Sequence, residues 1–245
     1  MEFMPQNAPL VVLTFLGACF GLVVLALVIA YGLVRGKRVL VKYGLSLALV
    51  GVGFYAVLLL GFSLASSEKV LAAGQQKYFC EIDCHVAYSV LDVATSKTLG
   101  APPALKNSAG TFYVVKVRTW FDERTISPRR PKDASLTPNP REVVAVDDRG
   151  REYRPSAEGQ SALALMHGAT TPLTQPLRPG ESYATELVFD LPADAQNLRL
   201  LITDADGVTH FLIGHELSPL HKKIYFALTP QSKAVALRER YLALP

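Results

Sequence analysis

The chain has 245 residues, half of them hydrophobic, with 25 Lys and Arg against 21 Asp and Glu. Four of the basic residues, Arg35, Lys37, Arg38 and Lys42, crowd into one short stretch. One acid, Glu2, precedes it, so the rest of the sequence holds 21 basic and 20 acidic residues. That near balance excludes the broad basic footprint of nucleic-acid binding, because the alkaline character comes largely from one loop.

Residues 10–34 and 43–65 carry no charged side chain and no histidine. A bilayer core about 30 Å thick needs roughly 20 apolar residues of helix, so each stretch is long enough to cross it. The connecting residues 35–42 hold four basic groups and no acid, and short cationic loops stay in the cytoplasm. Residues 1–65 are therefore expected to form a hairpin of two transmembrane helices in a cell inner membrane. Both termini, and everything after residue 65, are placed on the extracytoplasmic side. The start of the chain lacks the positive region of a signal peptide. Spans without ionisable groups fit an anchor, or a surface for partner helices, better than a transport path. Gly17 and Gly21, with Gly51 and Gly53, offer close helix approach, most simply of the two spans to each other.

Residues 66–77 read as a linker. Beyond them, residues 78–93, 111–121, 142–146, 182–189, 198–203, 209–213 and 223–228 are rich in β-branched and aromatic side chains. Gly, Pro and Asp clusters punctuate them at 147–150, 178–181, 191–192 and 204–207. Seven short strands with such turns predict an antiparallel β-sandwich over residues 78–228. Its expected core holds Val114 or Val115, Trp120, Val188 or Phe189, Leu200, and Tyr225 or Phe226. Residues 229–245 form a tail, with a short helix predicted over 234–241.

The runs VDDRGREYRPS at 146–156, LRPGE at 177–181, LVFDLP at 187–192 and NLRL at 197–200 carry a resemblance. They are similar to the telokin-like, immunoglobulin-like domains of bacterial lipoproteins and membrane proteins, over roughly residues 113–228. Those domains pair an Asp-Gly hairpin ending in Tyr with a Pro-Gly-Glu turn and a Val-Phe-Asp strand. The resemblance implies an Ig-like sandwich and assigns no activity. A long insertion after Trp120 and a cysteine segment before residue 111 depart from the pattern.

That segment, FCEIDCH at 79–85, is the strongest chemical candidate. Cys80 and Cys84 are expected to form a disulfide in an oxidising compartment. The alternatives are a copper-handling or thiol-redox site formed by Cys80, Cys84 and His85, or two separate reduced thiols. Residues four apart on a regular strand are about 13 Å distant, so the segment must turn or bulge for a disulfide to close. The second subunit of haem–copper oxidases shares the hairpin-plus-β-domain architecture, with a Cys-x3-Cys-x3-His-x2-Met motif. Tyr88 and Leu91 occupy its last two ligand positions here, so that function is set aside. Haem attachment is set aside too, because the segment has one residue more than Cys-x2-Cys-His.

His167, His210, His215 and His221 join no ligand pattern, and no nucleophile, phosphate-loop or metalloprotease motif stands out. No enzyme activity and, copper apart, no cofactor is implied. The Pro-rich stretch 122–141 carries Arg124, Arg129, Arg130, Lys132 and Arg141. It reads as a solvated loop, or more sharply as a docking loop in which Arg124, Arg129, Arg130 and Lys132 meet an acidic protein partner or lipid headgroups. The expected function is a membrane-anchored extracytoplasmic binding or assembly module, an accessory subunit or scaffold with protein partners in the membrane or periplasm.

Overall fold

The computed structural model describes residues 7–81, 84–100, 102 and 105–230. The helix predicted over 234–241 lies outside the described residues. Two compact units emerge, Met1–Glu68 with Asp206–Lys223, and Lys69–Ala205 with Ile224–Pro245.

In the first unit the uninterrupted apolar runs become two helices, α1 (Ala8–Val34) and α2 (Arg38–Leu64), of 27 residues each. Each is long and apolar enough to cross a bilayer. They meet through Gly32, whose missing Cβ leaves room for Val41, and Gly44, which lies against Ile29. The glycines expected at that contact, Gly17, Gly21, Gly51 and Gly53, face open space instead. Most of the large apolar side chains of both helices are exposed, among them Phe20, Leu27, Leu49, Phe54 and Val57.

The second unit is a β-sandwich. After β1 (Lys69–Leu71) come β2 (Lys77–Glu81), β3 (Cys84–Leu99), β4 (Lys106–Asp122), β5 (Arg141–Val146) and β6 (Glu152–Tyr153). Helix α3 (Ala157–His167) precedes β7 (Ser182–Leu191), β8 (Arg199–Asp204) and β9 (Ile224–Ala227). One sheet has the order β2-β3-β4-β7 and the other β1-β9-β8-β5-β6. All pairings are antiparallel except β1 with β9. The stretch read as a linker thus contributes an edge strand. The stretch read as one strand over 78–93 is two strands in antiparallel pairing, Glu81 opposite Cys84. The run 209–213 forms no strand: its first three residues belong to the 3-10 turn Gly207–Phe211, capped where the Asp206 carboxylate accepts from the Val208 N–H.

Between the sheets lie Tyr88, Val90, Val115, Val117, Phe189, Leu200, Ile202 and Phe226, all fully or almost fully buried. Trp120 is not among them. Strand β4 sends Val115, Val117, Thr119 and Phe121 inward, so Trp120 falls on the opposite face, half-buried, with the Arg124 guanidinium 5.7 Å from its ring centre. Farther along the same outer face, Phe112 and Val114 are covered by Ala162 and Leu163 of α3. That helix starts where the Ser156 side chain accepts from the Gly159 N–H and stops at Gly168, whose φ is 84°. It also closes the free edge of β7. The Gln160 amide accepts from the Val188 N–H and donates to the Glu186 carbonyl, which blunts an edge that would otherwise recruit another strand.

The DDRGREY turn is organised by one buried carboxylate. Asp147 accepts from the backbone N–H groups of Arg149 and Arg151, from Arg151 Nε at 2.6 Å and from the Tyr153 hydroxyl at 3.1 Å. Burial alone would push its pKa up. The bonds from Arg151 and Tyr153 outweigh that and hold it at about 2. An unfolded Asp titrates near 3.9. A depressed folded value gives stability that is complete above the unfolded pKa and is lost as pH falls through the folded one. Stability should therefore drop between about pH 5 and pH 2. Asp147→Asn should flatten that part of the curve, read from urea midpoints across the range. An unchanged slope would remove Asp147 from this role.

Candidate functional site

The β2–β3 pairing decides the fate of the cysteine segment. Along β2, Lys77, Phe79 and Glu81 are buried while Tyr78 and Cys80 are half-exposed. Cys80 pairs with His85, and Cys84 pairs with Glu81. Residues directly opposite on neighbouring strands share a face. Cys80 and His85 thus lie on the outer face, and Cys84 on the inner one beside Phe121 and Leu177. The expected disulfide is not formed, because the register puts the two sulfurs on opposite sides of the sheet. For the same reason Cys80, Cys84 and His85 do not converge. Among the described residues no three His, Cys, Asp or Glu side chains could hold a metal ion. Cys80 should accordingly react with a maleimide in the folded protein, and Cys84, 1% exposed, only after denaturation. Peptide mass spectrometry reads both, and simultaneous labelling of the two would contradict this placement.

The outer face instead assembles a row across three strands. His85 stands opposite Asp122 of β4, and Tyr78 and Trp120 flank Ala87 one step along. Asp122 is buried and takes a two-pronged contact from Arg124, Nε to Oδ1 at 2.9 Å and Nη2 to Oδ2 at 2.8 Å. Those bonds hold its carboxyl below the usual range. Arg124, proposed from sequence as a docking residue, is thereby committed to Asp122 and the Trp120 ring. Arg130 lies over Phe121 and donates to the Ser135 carbonyl. Of the four, Arg130 is half-buried and Arg124, Arg129 and Lys132 are exposed, Arg124 while holding Asp122. The loop that carries them is tied down where Leu136 pairs with Leu177 and where the Asn139 N–H donates to Glu81.

The inner side holds a charge cluster that sequence reading missed. Arg141, with a fully buried side chain, bridges Glu81 on β2 and Asp204 at the end of β8. Its guanidinium lies 4.2 Å from the Phe79 ring centre and 5.7 Å from that of Tyr88. Burial raises the Glu81 pKa against the opposing pull of Arg141, and pushes the Tyr88 phenol up to about 12. Lys77 is also buried, its ammonium donating to the carbonyls of Ile202 at 2.6 Å and Ile224 at 3.1 Å. Alternation does not reveal such groups, since a basic residue at a strand start ordinarily faces water.

A shallow open groove of about 350 Å³ lies beside Arg141, with Val143, Leu173 and Leu187 among its lining. Glu142 and Arg154 also line it and form an ion pair of 3.5 Å.

No protein-family model and no curated protein matches the chain. Among solved structures it is similar to the secreted protein MPT63 of Mycobacterium tuberculosis, at 12% identity and a TM-score of 0.40, covering 66% of this chain and 97% of that one. It is also similar to a conserved hypothetical protein of Bacillus anthracis, at 15% identity, a TM-score of 0.38 and coverages of 54% and 88%. A third likeness is to an uncharacterised β-sandwich protein of Clostridium difficile, at 9% identity, a TM-score of 0.36 and coverages of 67% and 97%.

Proposed function

We propose that this chain is a two-span inner-membrane protein whose Ig-like sandwich works outside the cytoplasm as a binding or assembly module, an accessory subunit or scaffold for membrane partners. The observation that carries the reading is the exposed apolar surface of α1 and α2. The most apolar window of α1 has none of its residues buried and that of α2 has 6%. A surface of that kind is stable only against lipid or other apolar helices. Residues 35–42, with four basic side chains and no acid, orient the hairpin with its loop in the cytoplasm. Gly17, Gly21, Gly51 and Gly53, open on the helix surfaces, let a partner helix approach closely. On the sandwich, Arg129 and Lys132 supply exposed positive charge on a loop held by the rigid sheet behind it.

The test is photo-crosslinking in native membranes, with the probe at Gly17 or Gly51 in the helices and at Arg129 or Lys132 on the loop. One discrete protein adduct shared by helix and loop positions is expected. Adducts to lipid alone from the helices, and none from the loop, would contradict an assembly role.

A further inference from the structure

Residues 206–223 leave the sandwich after β8, pack in the unit of the two helices, and return to the sandwich as β9. Leu212 and Ile213 bury themselves against Val11 of α1 and Leu59 of α2, with Phe15, Tyr55, Leu58 and Phe62 around them. The Tyr55 hydroxyl donates to the Phe211 carbonyl at 2.7 Å, and the Lys222 N–H donates to Ser66 Oγ at 2.8 Å. Tyr55 lies nine residues inside the C-terminal end of α2. That is about 14 Å along a helix rising 1.5 Å per residue. A helix of 27 residues is about 40 Å long and overhangs a 30 Å hydrocarbon core by only about 5 Å at each end. The docked segment therefore reaches the level of the lipid.

Its chemistry suits that level. Between Asp206 and Lys222 the only charged residue is Glu216. Its backbone satisfies itself in a run of turns. The N–H groups of Thr209, Leu212, His215, Ser218 and His221 donate in order to the carbonyls of Asp206, Thr209, Leu212, His215 and Ser218. Irregular backbone near hydrocarbon is tolerated when its polar groups are paired in this way. Yet Val208, Phe211 and Leu220 are 50%, 57% and 66% exposed. Val208 and Phe211 sit three apart in the 3-10 turn Gly207–Phe211, hence on one side of it.

We propose that residues 207–221 form an interfacial wedge that inserts Val208, Phe211 and Leu220 into the outer leaflet beside the two spans. The proposal rests on the membrane-spanning reading. The occupant is lipid, because the wedge continues the exposed apolar surface of helices that themselves need lipid, and because five of its backbone N–H groups are paired within the segment.

Full-length protein in phosphatidylcholine vesicles tests this by tryptophan quenching, with Trp120→Phe removing the native signal. The vesicles carry bromine either near the headgroup end of the acyl chains or near their terminal methyls. Phe211→Trp should be quenched, more by the shallow bromine than by the deep one, and Val208→Trp should behave alike. Phe54→Trp, exposed on α2, reports the span itself and should be quenched strongly by the deep bromine. An unquenched tryptophan at 211 and 208 beside a quenched one at 54 would overturn the wedge and leave the spans standing. An unquenched tryptophan at 54 would overturn both.

Discussion

Replacing Arg141 by Met should destabilise the sandwich by about 3–5 kcal/mol, the usual cost of removing one partner from a buried ion pair. The side chain of Arg141 is 0% exposed and that of Glu81 4%. Without the guanidinium, Glu81 must stay buried next to Asp204 without its main counter-charge. Burial already raises its pKa, so in R141M it should take up a proton. The triple change R141M/E81Q/D204N should recover part of the loss, since it removes the stranded charges together with their partner. Urea unfolding followed by near-ultraviolet circular dichroism separates the cases. Equal destabilisation of the single and triple variants would show that packing on Phe79 and Tyr88, and not charge, is the main contribution of Arg141.

Truncating Phe226 to Ala should cost a similar 3–5 kcal/mol, from lost transfer energy plus the cavity left behind. Phe226 is fully buried and stands opposite Leu200 of β8 and Leu71 of β1. It is the residue through which the chain, returning from the excursion, rejoins the core. The neighbouring Tyr225 faces the other way, beside Val144, Val146 and Leu201, with Arg199 4.4 Å from its ring centre. Tyr225→Ala should therefore cost clearly less. Equal losses at the two positions would mean that the outer-face cluster around Tyr225 contributes as much as the core between the sheets.

The parts of the fold legible in the sequence are those with unbroken local patterns. Residues 10–34 and 43–65 announce helices because no charge interrupts them. Residues 111–121 announce a strand because they are rich in β-branched and aromatic side chains, but Phe112 to Val115 are apolar on both faces, so alternation does not reveal that Trp120 points away from the core. The single run drawn over 78–93 hid a reversal, because Glu81 and Cys84 are separated by only two residues and both flanks are β-rich. That reversal is what separates Cys80 from Cys84 and dissolves the expected site. Helix α3 left a fainter signature, Ser156 and Gly168 bracketing a run of good helix formers, which the dominant β pattern masked. The Glu81–Arg141–Asp204 cluster pairs residues 60 and 63 positions apart, and no local pattern encodes such a meeting. Residues 209–213 read as a strand because Phe211, Leu212 and Ile213 are good β-formers. The Asp206 cap and the pull of Val11 and Leu59 decide otherwise.

The central claim, a membrane hairpin with its sandwich outside the cytoplasm, is tested most directly by cysteine accessibility in spheroplasts. Cys19, Cys80 and Cys84 would first be changed to Ser, and single cysteines placed at Lys37 in the loop and at exposed Asp133 on the sandwich. A membrane-impermeant maleimide should label D133C in intact spheroplasts, and K37C only after the membrane is opened. Labelling of K37C from outside, with D133C protected until permeabilisation, would contradict the account.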